Sequence, residues 1–90
     1  MRIVWRPSAV RDLEDIQSYI ARDNLRASVT VTRRIFHAIE RLKMFPGSGR
    51  PSVVHGTREV VMPGLPYIVV YKHDDSDVEI LAVFHGARSR

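Results

Sequence analysis

Two amphipathic stretches meet at a break of only two residues, Asp23 and Asn24. Before it, Ala9, Leu13, Ile16 and Ile20 recur at steps of four, three and four, one apolar stripe on a helix running from Pro7 to about Arg22. After it, Ala27, Val31, Ile35, Ala38, Ile39, Leu42 and Phe45 lie along one face of a second helix, which Pro46 ends. A break this short predicts that the helices fold back as an antiparallel hairpin with both stripes turned toward one partner surface.

The remaining segments supply that surface. Pro7 suits the first turn of helix one, where its missing N–H costs nothing, and Ser8 is the rival start as an N-cap. Asp12, Glu14 and Asp15 fall in the half of that helix where the dipole favours anions. Asn24 offers the N-cap of helix two. PGSGRP, Pro46 to Pro51, reads as a turn-rich connection. The predicted strands are RIVW (Arg2 to Trp5), TREVVM (Thr57 to Met62), YIVVYK (Tyr67 to Lys72) and Val78 to Phe84, with turns at PGLP and HDDSD between the last three. The last two strands are apolar on both faces and so belong in the middle of a sheet. TREVVM alternates less cleanly and belongs nearer an edge. The order β-α-α-β-β-β predicts an α+β class, with the helical hairpin packed on one face of a mainly antiparallel sheet and residues 1–90 forming a single domain. Trp5, Leu13, Ile16, Ile35, Leu42, Val69 and Leu81 are the expected core. The sheet's second face must be covered by loops, be unusually polar, or bind something.

Composition removes several classes of function. The chain has no cysteine, which excludes disulfides, thiol chemistry and cysteine-ligated metal. No apolar run is long enough to span a bilayer, and the charged N-terminus is no signal peptide, so a cytoplasmic protein without a membrane role is expected. The net charge is +4, from 14 basic against 10 acidic residues. All the basic residues except Lys43 and Lys72 are arginine, whose planar fork suits phosphate and carboxylate recognition. A genome rich in arginine codons accounts for that bias equally well. The charge permits nucleic acid or an acidic protein partner and selects neither.

The chemistry-bearing residues are scattered. His37, His55, His73 and His85 show no metal-ligand spacing, and neither a metal nor a cofactor is expected. GSGR lacks the length and the lysine of a phosphate-binding P-loop, although Arg50 could face an anion there. Ser48 and Ser52 read as turn residues rather than nucleophiles. Arg33, His37 and Arg41 step by four along helix two, and a solvated face is the default for them. Acid–base chemistry has more to offer. Tyr67 and Tyr71 lie on the same side of one strand, His85 and Arg88 stand at the exit of the next, and Arg58 and Glu59 lie on the strand before. Arginines holding phosphate beside a tyrosine or histidine that moves protons would make a ribonuclease. Packed tyrosines and a surface ion pair explain the same residues. Enzyme and binding module both stay open on this ground.

The order of motifs narrows the choice. A short strand ending in Trp5, AVRDLEDIQSYIA, RIFHAIERLKMFPGSGRP, GTREVV, PYIVVY and ILAVFHGAR follow one another within ninety residues. In that order they resemble the toxins of the RelE/ParE superfamily of bacterial type II toxin–antitoxin systems, over nearly the whole chain. The resemblance implies a toxin held in a hetero-oligomer by a cognate antitoxin encoded beside it. RelE-like members cut messenger RNA on the ribosome. ParE-like members are linked to poisoning of DNA gyrase, and such modules to plasmid stabilisation.

RelE-type nucleases carry basic side chains along the first closing strand, an arginine after the tyrosine that opens the next, an arginine at the exit of the last, and a tyrosine beyond it. In this sequence Arg58 is followed by Glu59, Val60, Val61 and Met62, Tyr67 is followed by Ile68, and no tyrosine follows Arg88. Only Arg88 matches cleanly. The resemblance therefore implies the ParE-like branch, acting by protein contact on gyrase and not as an enzyme. Arg50, Arg58, Glu59, Tyr71, His85 and Arg88 are the expected target or antitoxin contacts. The alternative is an mRNA interferase using Arg58, His85, Arg88 and Tyr71. A nucleic-acid-binding module ranks third, and direct binding of nucleic acid stays open. On either reading Gly86 would let the chain turn between His85 and Arg88.

Overall fold

The computed structural model describes residues 1–87. In chain order the elements are β1 (Arg2–Trp5), α1 (Pro7–Ala21), α2 (Leu25–Glu40), a 3-10 turn (Arg41–Lys43), β2 (Arg50–Pro51), β3 (Arg58–Val61), β4 (Tyr67–His73) and β5 (Asp77–His85). The predicted helical hairpin forms, and it packs on a five-stranded mixed sheet ordered β1-β5-β4-β3-β2. β1 runs parallel to β5, and every other neighbouring pair is antiparallel. β2 is the strand the sequence pattern hid. Its two residues contain a proline and pair with Glu59 and Arg58. Among the described residues no helix is long and apolar enough to cross a membrane.

Local chemistry explains the helix ends. Pro7 opens α1, and Arg6 precedes it without a side-chain cap. Ser8 is no N-cap; its hydroxyl donates to the Leu81 carbonyl at 3.1 Å. Asn24 caps α2 by accepting the Ala27 N–H at 3.0 Å. The two helices share a polar seam, where the buried Ser28 donates to the Gln17 carbonyl and Gln17 donates to Thr32. α2 tightens into a 3-10 turn at Arg41, five residues before Pro46. Phe45 lies beyond that turn and is 56% exposed, although helical spacing placed it on the apolar face.

The core joins Ala9 and Leu13 of α1, Ile35 and Ile39 of α2 and Leu42 to Met62, Tyr67, Val69, Tyr71, Val78, Ile80 and Val83. Trp5 and Ile16 are partly buried against it. Leu81 departs from expectation. Tyr71 pairs with Ile80 while Val70 pairs with Ala82, so Leu81 is the extra residue of a β-bulge. The buried positions of β5 change phase there, from Val78 and Ile80 to Val83, and Leu81 is left only half-buried.

α1 then takes over from β1 along the edge of β5. Arg6 N–H donates to the Ile80 carbonyl, Ser8 to that of Leu81, and Asp12 accepts the Val83 N–H at 3.0 Å. Polar helix side chains thus satisfy strand-edge groups that would otherwise be left unpaired. The sheet face turned away from the helices is polar at one end, with ion pairs Arg2–Asp77, Arg6–Glu79, Lys72–Glu79 and Arg50–Glu59.

Candidate functional site

Four of the six residues singled out by sequence meet in one place, around the loop that joins the 3-10 turn to β2. Tyr71 is fully buried and its hydroxyl is used twice: it donates to the Pro46 carbonyl at 2.7 Å and accepts the Gly49 N–H at 2.9 Å. Arg58, opposite Tyr71 on β3, donates to the Gly49 carbonyl at 2.7 Å. Glu59 lies on the other face and is only 12% exposed. Its carboxylate holds the Arg50 guanidinium at 2.8 Å and accepts the Ser52 hydroxyl at 2.9 Å. These contacts form a latch that fixes PGSGR against the sheet. Gly49 is required by space, because an added Cβ would stand 2.6 Å from the Tyr71 hydroxyl and 2.9 Å from the Glu59 carbonyl.

The latch reassigns Tyr71. Expected from the sequence as a contact or catalytic candidate, it is fully buried in the core, and both of its hydroxyl bonds go to the loop. Arg58 and Glu59 are partly buried and engaged in the latch, while Arg50 stays largely open to solvent at 62%.

His85 stands elsewhere. Arg58 is opposite Tyr71 and so level with Ile80, whereas His85 pairs with Tyr67. Four residues of β4, from Tyr67 to Tyr71, separate those levels, about 13 Å at ~3.3 Å per residue. The His85 ring meets Tyr67 edge-on at 5.5 Å, and its Nδ1 accepts the Ala87 N–H at 3.1 Å. That bond uses one ring nitrogen to shape the strand exit. Gly86 lies in the turn that follows β5, and its φ is not positive. A Cβ there would lie 3.2 Å from both the Pro66 carbonyl and the Ile68 side chain, so close approach is what needs glycine. Arg88 lies outside the described residues.

A groove of about 570 Å³ runs beside the latch, between the end of α2 and β3. Leu42, Phe45, Val60, Val61 and Met62 are among its lining residues, together with Arg41. Sequence reasoning missed this feature, because Phe45 counted as core and Arg41 as one charge on a solvated stripe. The available signal was Phe45 standing directly against the helix-ending Pro46.

Residues 3–90 match the profile of the ParE toxin of type II toxin–antitoxin systems, parDE. The chain belongs to the ParE toxin family. Among relatives, the Y4kP protein of Sinorhizobium fredii, which carries a toxin name, is 43% identical over 85 residues, covering 94% of this chain and 88% of that one. Toxin RelE2 of Caulobacter vibrioides is 31% identical, covering 97% of each chain. Two solved structures share the ParE-family fold seen here, each at 23% identity. A chain of the chromosomal ParDE toxin–antitoxin system of P. aeruginosa superposes with a TM-score of 0.83, covering 94% of this chain and 95% of that one. A chain of the RelBE2 toxin–antitoxin complex of Mycobacterium tuberculosis superposes at 0.61, covering 93% and 95%. The chain is thus a type II toxin of the RelE/ParE superfamily, and its relatives carry both RelE and ParE names.

Proposed function

We propose that this toxin acts by protein–protein contact, with DNA gyrase as its target, and that a cognate antitoxin encoded beside it neutralises it in a hetero-oligomer in the cytoplasm. The observation that carries the reading is the dispersal of the residues a nuclease would use. Tyr71 is sealed in the core, Arg58 is bonded to a loop carbonyl, and His85 is displaced along the sheet. Stabilising the charge of a pentacovalent phosphorane requires donors that converge on one point, and loss of such donors costs orders of magnitude in rate. An antitoxin partner is supported by the solved relatives, which come from toxin–antitoxin systems. On this reading the module would favour retention of a plasmid that carries it. The exposed Arg50, with Arg58, Glu59, His85 and Arg88, stays among the proposed contacts to target or antitoxin.

One observation favours a second reading, the 31% identity to a toxin named RelE2. It would make the chain a ribosome-dependent mRNA interferase. Controlled expression in a bacterial host separates the two. The gyrase reading expects induction of the DNA-damage response while protein synthesis continues. Immediate translation arrest with messenger RNA cut at defined codons would replace it with the interferase.

A further inference from the structure

The end of the sheet that carries His85 opens into a second cavity, of about 430 Å³, between α1 and the ends of β4 and β5. None of its lining residues belongs to the latch. The feature that marks it is Tyr67, only 7% exposed, whose hydroxyl makes no hydrogen bond among the described residues. Every described side-chain nitrogen or oxygen that is sealed from solvent has a partner. The Tyr67 oxygen is therefore the part of that side chain that reaches the cavity. A hydroxyl this deep without a partner costs free energy, and a ligand that bonds it recovers the cost.

The groups around that oxygen define the ligand's charge. Asp12 spends its Oδ2 on the Val83 N–H and leaves Oδ1 unclaimed. Asp15, one turn further along α1, has no hydrogen bond or ion pair among the described residues. Arg22 is the only arginine or lysine in the lining. It stands at the C-terminal end of α1, about 10 Å beyond Asp15 at ~1.5 Å per residue, and pairs with neither carboxylate. The Nδ1 of His85 accepts the Ala87 N–H, so that ring adds no charge. Two carboxylates against one distant guanidinium make this a site for a cation. A metal ion fits poorly, because among the described residues no three His, Asp or Glu side chains converge. The rings of Tyr19, Tyr67 and Phe84 in the lining favour a cation that also stacks.

We infer that this cavity binds the guanidinium of an arginine side chain. The planar fork of five donors matches the acceptors on offer, which are Asp12 Oδ1, the Asp15 carboxylate and the Tyr67 oxygen, while its face stacks on a ring. An ammonium group has neither the plane nor the stacking face. Two sources can supply the guanidinium. One is an arginine of a protein that docks at this end of the sheet. The other is Arg88 or Arg90 of this chain, which follow His85 by three and five residues. The inference stands apart from the choice between gyrase and messenger RNA.

Titration of the full-length toxin with N-acetyl-arginine methylamide, followed by NMR, tests the inference. The probe should saturate with a dissociation constant on the order of 1 mM, as a small ligand with few contacts does. It should shift the ring signals of Tyr67 and His85. The corresponding citrulline compound, similar in shape but uncharged, should not bind measurably. Asp15→Asn and Tyr67→Phe should each weaken binding about threefold or more. Glu14→Gln, a neighbouring carboxylate outside the lining, should bind like wild type. Asp12 is left unchanged because the Val83 N–H depends on it. Thermal melts check that each variant keeps the fold, and Tyr67→Phe removes no hydrogen bond of the free protein. The double variant Arg88→Gln/Arg90→Gln separates the sources. Binding that appears or tightens in it assigns the site to the chain's own arginines. Equal binding in wild type and double variant assigns it to an arginine of a partner protein. No saturable binding by either protein, citrulline binding as well as arginine, or Asp15→Asn and Tyr67→Phe both binding like wild type would overturn the inference.

Discussion

The Tyr71 hydroxyl and the Gly49 backbone are locked together: the hydroxyl accepts the Gly49 N–H at 2.9 Å, and a Cβ on residue 49 would sit 2.6 Å from that same oxygen. A tyrosine buried in the middle of the sheet thereby sets the path of the loop that leads into β2. From that loop follows the position of Arg50, held by Glu59.

Tyr71→Phe should destabilise the protein by about 1–3 kcal/mol, the cost of leaving buried polar groups without a partner. The Gly49 N–H and the Pro46 carbonyl both lose their bond to the hydroxyl. Urea unfolding should show a lower midpoint with an unchanged slope. Hydrogen exchange at Gly49 should quicken. If Tyr71 served as a target contact instead, stability would be unchanged.

Gly49→Ala should cost about 1–3 kcal/mol through overpacking. The Tyr71→Phe change removes the nearest clashing atom but leaves the ring carbon at 2.8 Å and the Glu59 carbonyl at 2.9 Å. The double mutant should therefore be more stable than the sum of the single losses predicts, without full recovery. Thermal melts of the four proteins in that cycle measure the coupling, and strict additivity would contradict the latch.

Ile80→Ala and Leu42→Ala should each cost about 2–5 kcal/mol, as buried truncations do. Both side chains are at most 1% exposed. Leu81→Ala should cost clearly less, about 1 kcal/mol, because the bulge leaves that side chain half-buried. Equal losses at positions 80 and 81 would argue against the phase change in β5.

The acid limb of stability should depend on Asp74. Its carboxylate accepts the N–H groups of Asp77 and Ser76, and these bonds hold it below the usual carboxylate range. The Arg6 guanidinium does the same for Glu79. A folded pKa below the unfolded one stabilises above the unfolded value, near pH 4. That contribution is lost as pH falls through the unfolded value toward the lower folded one. Asp74→Asn keeps an acceptor for the turn but cannot titrate. Its stability should therefore fall less steeply than that of wild type below about pH 4, as followed by melting temperature against pH. Parallel acid limbs would contradict the assignment.

The helical hairpin was legible because apolar periodicity and a two-residue break leave few other solutions, and Leu13, Ile35, Leu42 and Val69 are buried as expected. Leu81 was not legible. On a strand apolar on both faces, nothing local marks a bulge, and the phase change follows from pairing with β4. β2 was hidden because two residues carry no alternation. The candidate site was half legible. Arg50, Arg58, Glu59 and Tyr71 were singled out with the help of the family resemblance, and they lie around one loop. Yet only the fold reveals that Tyr71 bonds the loop from inside the core instead of facing outward. The groove escaped notice because helical spacing put Phe45 on the apolar face, whereas it lies beyond the 3-10 turn and is exposed.

The central functional claim is tested most directly with purified components. Toxin freed of antitoxin should inhibit supercoiling by DNA gyrase or trap it on cleaved DNA, and it should leave ribosome-bound messenger RNA intact. Added antitoxin should restore the gyrase. Unimpaired gyrase together with codon-specific cleavage of that messenger RNA would contradict the account.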